Sequence, residues 1–306
     1  MNEEQNLPPP PALDHPKRRG RIRRRILRGT AALPAICTLL NGLAGFASIY
    51  FAAGSLDNRP PRLDLAAWMI FVGMLFDMLD GRVARLTRKT SEFGAQLDSL
   101  CYAITFGVAP AFLMLHAVAA AFTGGIPRIN FLESSDPMNR LFWVIAAVYL
   151  CCAILRLARF NVENKPDEAS HMSFKGLPSP AAAAVVASLV LLLLHVTDLN
   201  QVGWQSNRWV SVFVVVALPM ATLLSALLMV TRIRYPHVIN QYLRRKKPFE
   251  FLVKLAILLV AALLDVFVAA AALALGFALS GLWGLVWRRF HPEPAPAPPS
   301  QEGIVH

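Results

Sequence analysis

Residues 76–102 read FDMLDGRVARLTRKTSEFGAQLDSLCY. Asp77 and Asp80 stand three apart at the end of one apolar run, and Asp98 stands four beyond Gly94 at the start of the next. Side chains three or four apart share a helix face, so two helix ends can present carboxylates to one shared point. Such a point is a place to hold a divalent metal. Between the two ends lie Gly81, Ala84 and Gly94, small enough to let a bulky group press against backbone, and the basic Arg82, Arg85, Arg88 and Lys89. Cations and small residues facing carboxylates suggest a metal-bound phosphate ligand. The acids are embedded in otherwise lipid-soluble sequence, where an ionisable group is expensive and points to function. One such Asp alone is as readily an interfacial residue, whereas one site accounts for all three together.

The same residues carry a family resemblance. The pattern D-x-x-D-G-x-x-A-R, eight residues, G-x-x-x-D-x-x-x-D resembles the signature of the CDP-alcohol phosphatidyltransferases, and Asp77, Asp80, Gly81, Ala84, Arg85, Gly94 and Asp98 fall in register. At the last position, where the family carries a fourth Asp, this chain has Tyr102. Upstream, Pro34 to Asn41 is similar to the family's P-N-x-x-T-x-x-N start, with Ala35 where Asn is usual. Leu97 to Phe112, Leu155 to Asn161 and Phe174 to Pro180 resemble the bacterial phosphatidylserine synthase branch in particular.

Composition sets the compartment. With 56% hydrophobic and only 16% charged residues, and a mean hydropathy of +0.48, the chain reads as an integral membrane protein and not an ordinary soluble domain. A net charge of +11 could suggest nucleic acid, but the basic residues cluster beside apolar spans, as membrane orientation and anionic headgroups select. No nucleic-acid partner is expected. Cys37, Cys101, Cys151 and Cys152 fall in apolar spans without metal or disulfide spacing and read as small packing residues. His195 and His237 lack a second ligand at metal spacing and receive no role.

The expected fold is an all-α polytopic bundle of about eight transmembrane helices with cytosolic N- and C-termini. Residues 1–29 form a basic, Pro-rich cytosolic tail, 30–248 a six-helix core, 249–289 two additional transmembrane helices and 290–306 a disordered tail. Within the core, spans are expected near 33–54, 65–85, 93–122, 141–160, from 179 to 196, and 209–230. The first is read as a retained span and not a removed signal peptide. The apolar stretch from Phe251 to Trp287 exceeds one span and is expected to fold back at Asp265. With the N-terminus inside, this count places the basic loops inside as well.

That orientation puts Asp77, Asp80 and Asp98 at the cytosolic face of a bacterial-type inner membrane. The resemblance implies CDP-diacylglycerol as donor, L-serine as acceptor, and phosphatidylserine and CMP as products. It implies that Asp77, Asp80 and Asp98 bind Mg²⁺ or Mn²⁺, two ions in all, and that Gly81, Ala84, Arg85 and Gly94 make room for the nucleotide. Thr38 and Asn41 are either polar contacts to the nucleotide or a helix-packing pair. Arg156 and Arg159, three apart, are either an anion pocket for serine's carboxylate or the lipid phosphates, or positive-inside anchors. Asp98 and Tyr102 occupy the catalytic positions, although a phenol with pKa about 10 is a poor general base at neutral pH. Two alternatives follow: a catalytically impaired CDP-diacylglycerol-binding homologue, or a phosphatidyltransferase using another alcohol. A homodimer is compatible with the resemblance, and no residue here requires one.

Overall fold

Apolar helices satisfy their own backbone hydrogen bonds and can therefore stand in lipid, and this chain is built from them. A computed structural model describes residues 17–54, 61–87, 92–123, 137–163, 176–197, 208–233 and 265–290. It contains α1 (Lys17–Ala53), α2 (Leu63–Thr87), α3 (Glu92–Ala103), α4 (Ala109–Thr123), α5 (Pro137–Glu163), α6 (Ser179–Thr197), α7 (Arg208–Val230) and α8 (Val266–Phe290), and no strand among the described residues. Four stretches are long and apolar enough to cross a membrane: Pro34–Ala53, Glu92–Ala121, Pro137–Glu163 and Ser179–Val196. Val216–Val230 and Val266–Gly281 are shorter apolar helices. At 25 residues α2 is long enough, but it carries Asp64, Asp77, Asp80 and Arg82 along its length. The expected span between Phe251 and Asp265 lies outside the described residues.

α3 and α4 are one continuous rod interrupted by a π turn over Ile104–Val108, in which the Ala109 N–H bonds back to the Ile104 carbonyl. The wider turn shifts the faces before and after it relative to one another, as π turns near functional sites do. It also drives Thr105 into the groove between α1 and α2. The Thr105 hydroxyl donates to the Asn41 carbonyl at 2.9 Å. A methyl on Gly45 would stand 2.7 Å from Thr105 Cα, so only glycine admits this approach.

The core runs along α4 and α6, where Leu113, Met114, Val185, Val186, Val190 and Leu193 are essentially inaccessible. α6 packs against α2, α4, α7 and α8, while Ile36, Leu43, Phe46 and Tyr50 of α1 and Leu155 of α5 face outward, as lipid-facing positions do. All four cysteines are unpaired, and Cys101 is buried. Asp265 caps α8 through the Phe267 and Val268 N–H groups, at 2.9 and 3.1 Å, and pairs with His195 of α6 at 3.0 Å. The Val268 and Phe267 N–H groups, with His195 beside them, hold the Asp265 carboxyl below the usual carboxylate range.

The turn that starts α6 is fastened to the end of α7. Gly176 donates to the Ile233 carbonyl at 2.8 Å and Leu177 to the Leu228 carbonyl at 3.0 Å. Gly176 adopts φ +88°, and a methyl there would stand 2.5 Å from the Met229 carbonyl oxygen. Both facts require glycine. Gly176→Ala is therefore expected to destabilise the fold by about 1–3 kcal/mol, seen as a lower unfolding temperature of the purified protein in detergent. An unchanged melting curve would contradict this reading of the turn.

Candidate metal and phosphate site

The three acids of the sequence motif become a single cluster in space. One carboxylate oxygen from each of Asp77 and Asp80, in the C-terminal half of α2, and Asp98, in α3, lies within 4.8 Å of the others. α2 and α3 each pack against α1, which brings Asp98 to the two acids of α2. Asp80 is buried. The Thr38 hydroxyl of α1 lies 3.3 Å from Asp80 Oδ2 and 3.0 Å from the Pro34 carbonyl, and its single proton can serve one of them at a time. Asp98 Oδ1 is buried with no hydrogen-bond partner among the described residues.

Three carboxylates this close repel one another, and a buried acceptor left unmet is costly. A divalent cation answers both terms. The donor set is all oxygen and all anionic, which fits Mg²⁺ or Mn²⁺. A methyl built on Gly81 would meet no heavy atom within 4 Å, so the backbone beside Asp80 borders open space. Gly94 sits in the first turn of α3. Ala84 and Arg85 belong to the last turns of α2, and their side chains lie outside the described residues.

Asn41 is completely buried one turn deeper than Thr38, and neither atom of its amide has a partner among the described residues. Its Oδ1 lies beside Gly73 of α2, 3.1 Å from where a side chain would begin. Thr38 thus joins the acidic cluster directly, while Asn41 lines the α1–α2 contact beneath it.

The two arginines of α5 part company. Arg156 Nη1 donates to the Tyr102 hydroxyl and to the Ser179 hydroxyl, both at 3.1 Å. Arg159 Nε instead pairs with Glu163 at 2.8 Å. Tyr102 packs edge-on against Phe106, with ring centroids 4.9 Å apart. The partners of Arg156 come from other helices, whereas Arg159 pairs within α5 at a spacing of four, a local signal that the sequence reading did not use. Ser179 as a partner of Arg156 has no local sequence signal, since 23 residues separate them.

The described residues thus combine apolar helices long enough to cross a membrane, a carboxylate cluster suited to a divalent cation and a guanidinium held by Tyr102 and Ser179. A model of the family described as CDP-alcohol phosphatidyltransferase matches residues 31–217. The chain belongs to that family, whose members generally use divalent metals. It is 39% identical to the CDP-diacylglycerol–serine O-phosphatidyltransferase of Saccharomyces cerevisiae over 158 residues, 50% of this chain and 51% of the yeast protein. The enzyme of the same name from Mycobacterium tuberculosis is 31% identical over 180 residues, 58% of this chain and 54% of the relative. That from Helicobacter pylori is 32% identical over 206 residues, 67% of this chain and 71% of the relative. The match thus spans about half the length of the yeast and mycobacterial proteins.

The cluster generates a binding prediction that needs no turnover. Thr38→Val is expected to lower Mn²⁺ affinity about tenfold, the effect of losing a side chain bonded to a metal-binding carboxylate, and Asp98→Asn to lower it further. Electron paramagnetic resonance of free Mn²⁺ titrated with the purified protein measures both. Equal affinity in the parent and Asp98→Asn would show that the trio is not the ion site.

Proposed function

We propose that this chain transfers the phosphatidyl group from CDP-diacylglycerol to L-serine, giving phosphatidylserine and CMP. The observation that carries the reading is the convergence of Asp77, Asp80 and Asp98 within 4.8 Å in a chain of this family. The three relatives described above are all named for serine as acceptor.

Asp77, Asp80 and Asp98 would hold Mg²⁺ or Mn²⁺, two ions in the full site. When bound, they supply neutralisation of the diphosphate and of the charge that develops on the departing CMP. The remaining work belongs to the chain's own residues. Thr38 steadies Asp80, the open space beside Gly81 admits the nucleotide, and Asn41, Ala84, Arg85 and Gly94 complete that end of the site. Asp98 and Tyr102 stand one helical turn apart, where the serine hydroxyl must approach the lipid-linked phosphorus. Arg156 offers the positive charge for an anionic group of a substrate, with Arg159 nearer the α5 end.

In this reading the six-helix core spans residues 30–248, two further transmembrane helices occupy 249–289, and residues 1–29 and 290–306 are tails. About eight spans place both termini and the site at the cytosolic side of a bacterial-type inner membrane, with positively charged loops inside. A homodimer is compatible with this arrangement. The acyl chains of the donor would run sideways between helices into lipid.

Purified full-length protein given CDP-diacylglycerol, Mn²⁺ and labelled serine is expected to form phosphatidylserine and release CMP. Asp98→Asn should reduce this by about 100-fold or more, in keeping with loss of a group acting at the reacting centre. Glycerol 3-phosphate and inositol phosphate should not replace serine. CMP release from Tyr102→Asp alone, with none from the parent, would mean that the chain binds the donor without turning it over.

A further inference from the structure

Arg156 is held in an unusual way for a charged group between membrane helices. Its Nη1 is used twice, by the hydroxyls of Tyr102 and Ser179. A guanidinium has five N–H donors, two of them on Nη1, so these bonds consume one nitrogen and leave the Nε and Nη2 edge. That edge is the side-on fork that receives a carboxylate in two parallel bonds. Arg156 Nε is buried with no partner, and no carboxylate pairs with Arg156 among the described residues. Arg159, one turn away, is already neutralised by Glu163.

Arg156 is half-buried with its Nε inaccessible, and a cation so placed is costly without an anion. Here both fixed partners are neutral hydroxyls, so the positive charge is kept and oriented but not cancelled. An Asp at position 102 would instead place a carboxylate near this guanidinium. From these contacts we propose that Tyr102 is a positioning residue: with Ser179 it fixes Arg156 so that the free fork receives the carboxylate of the amino-acid acceptor. The inference rests on the serine-transfer reading above and gives the phenol a part in substrate recognition, not in proton removal.

One guanidinium charge balances one carboxylate, whereas the lipid diphosphate is matched by cations at the acidic trio. The anion at the fork is therefore assigned to the acceptor. The phenol ring holds its place through Phe106, so Tyr102→Phe removes the bond to Arg156 while keeping that packing.

The test is equilibrium binding of labelled L-serine to the purified full chain with Mn²⁺ and CMP, in which no donor is present to turn over. Tyr102→Phe and Ser179→Ala should each weaken serine about tenfold, the effect of losing one bond to a charged group, with CMP affinity within about twofold of the parent. Serinol, which has the hydroxyls and amine of serine without the carboxylate, should compete poorly with serine in the parent and show no dependence on Tyr102. The inference is overturned if the parent does not bind serine, if serine affinity ignores both substitutions, or if CMP affinity falls in place of serine affinity. CMP release from CDP-diacylglycerol, measured in parallel, separates the two readings. Serine binding that depends on Tyr102 without CMP release overturns only the proposed transfer, and CMP release with Tyr102-independent serine binding overturns only this inference.

Discussion

Mutual repulsion among Asp77, Asp80 and Asp98 is the constraint on which this structure turns. Their oxygens gather within 4.8 Å, on helices flanked by apolar sequence. Such an arrangement is unfavourable for a chain by itself: each charge loses water, and each raises the energy of the other two. It persists where a divalent cation joins the carboxylates, and the binding energy of that cation stabilises the helix pairing that brings them together. The site and the local fold are therefore one thermodynamic unit.

The rest of the helix packing keeps those three residues in register. α2 must approach α1 closely enough for Thr38 to reach Asp80, and α3 must lie against α1 so that Asp98 meets the acids of α2. Without a hydrophobic force between helices in lipid, close approach depends on small residues and interhelical hydrogen bonds. Gly45 and Gly73 supply the clearance, and Thr105 fills it from the π turn, tied to the Asn41 carbonyl. Substitution at Gly45 would push this rod outward and carry Asp98, less than two turns before Thr105, away from its partners.

The acidic trio was legible because its information is local: spacing of three within α2, a short break, then Asp98, all inside 22 residues. The apolar runs were legible for the same reason, and most helices begin and end close to where hydropathy puts them; α1 is the exception, starting at Lys17 within the basic stretch read as a tail, because a helix runs on through Lys and Arg that hydropathy does not count. What was not legible depends on contacts made across the bundle. No pattern in Ile104–Val108 announces a π turn, and none announces the partners of Arg156, although Glu163 four residues after Arg159 marks a local ion pair for that residue. Those two were separated by Tyr102 and Ser179 on one side and Glu163 on the other. His195 looked isolated in the sequence because its partner, Asp265, comes 70 residues later and is presented by the cap of α8. The placement of 251–264, and with it the full span count, belongs to residues outside those described.

Tyr102 shows how a change at one motif position can redistribute work instead of deleting it. An acid there would join the carboxylate cluster and draw Arg156 into an ion pair, leaving less of its charge for a substrate. A phenol can do neither, and its oxygen accepts from Arg156 Nη1 while the ring rests on Phe106. The cluster then holds three acids in place of four, with less negative charge to balance bound cations, and the neighbouring guanidinium keeps its own. Both changes make the acceptor side of the site more positive. In the proposed transfer, that favours an acceptor bearing its own carboxylate and places proton removal on Asp98 or solvent, since the phenol is already committed to Arg156.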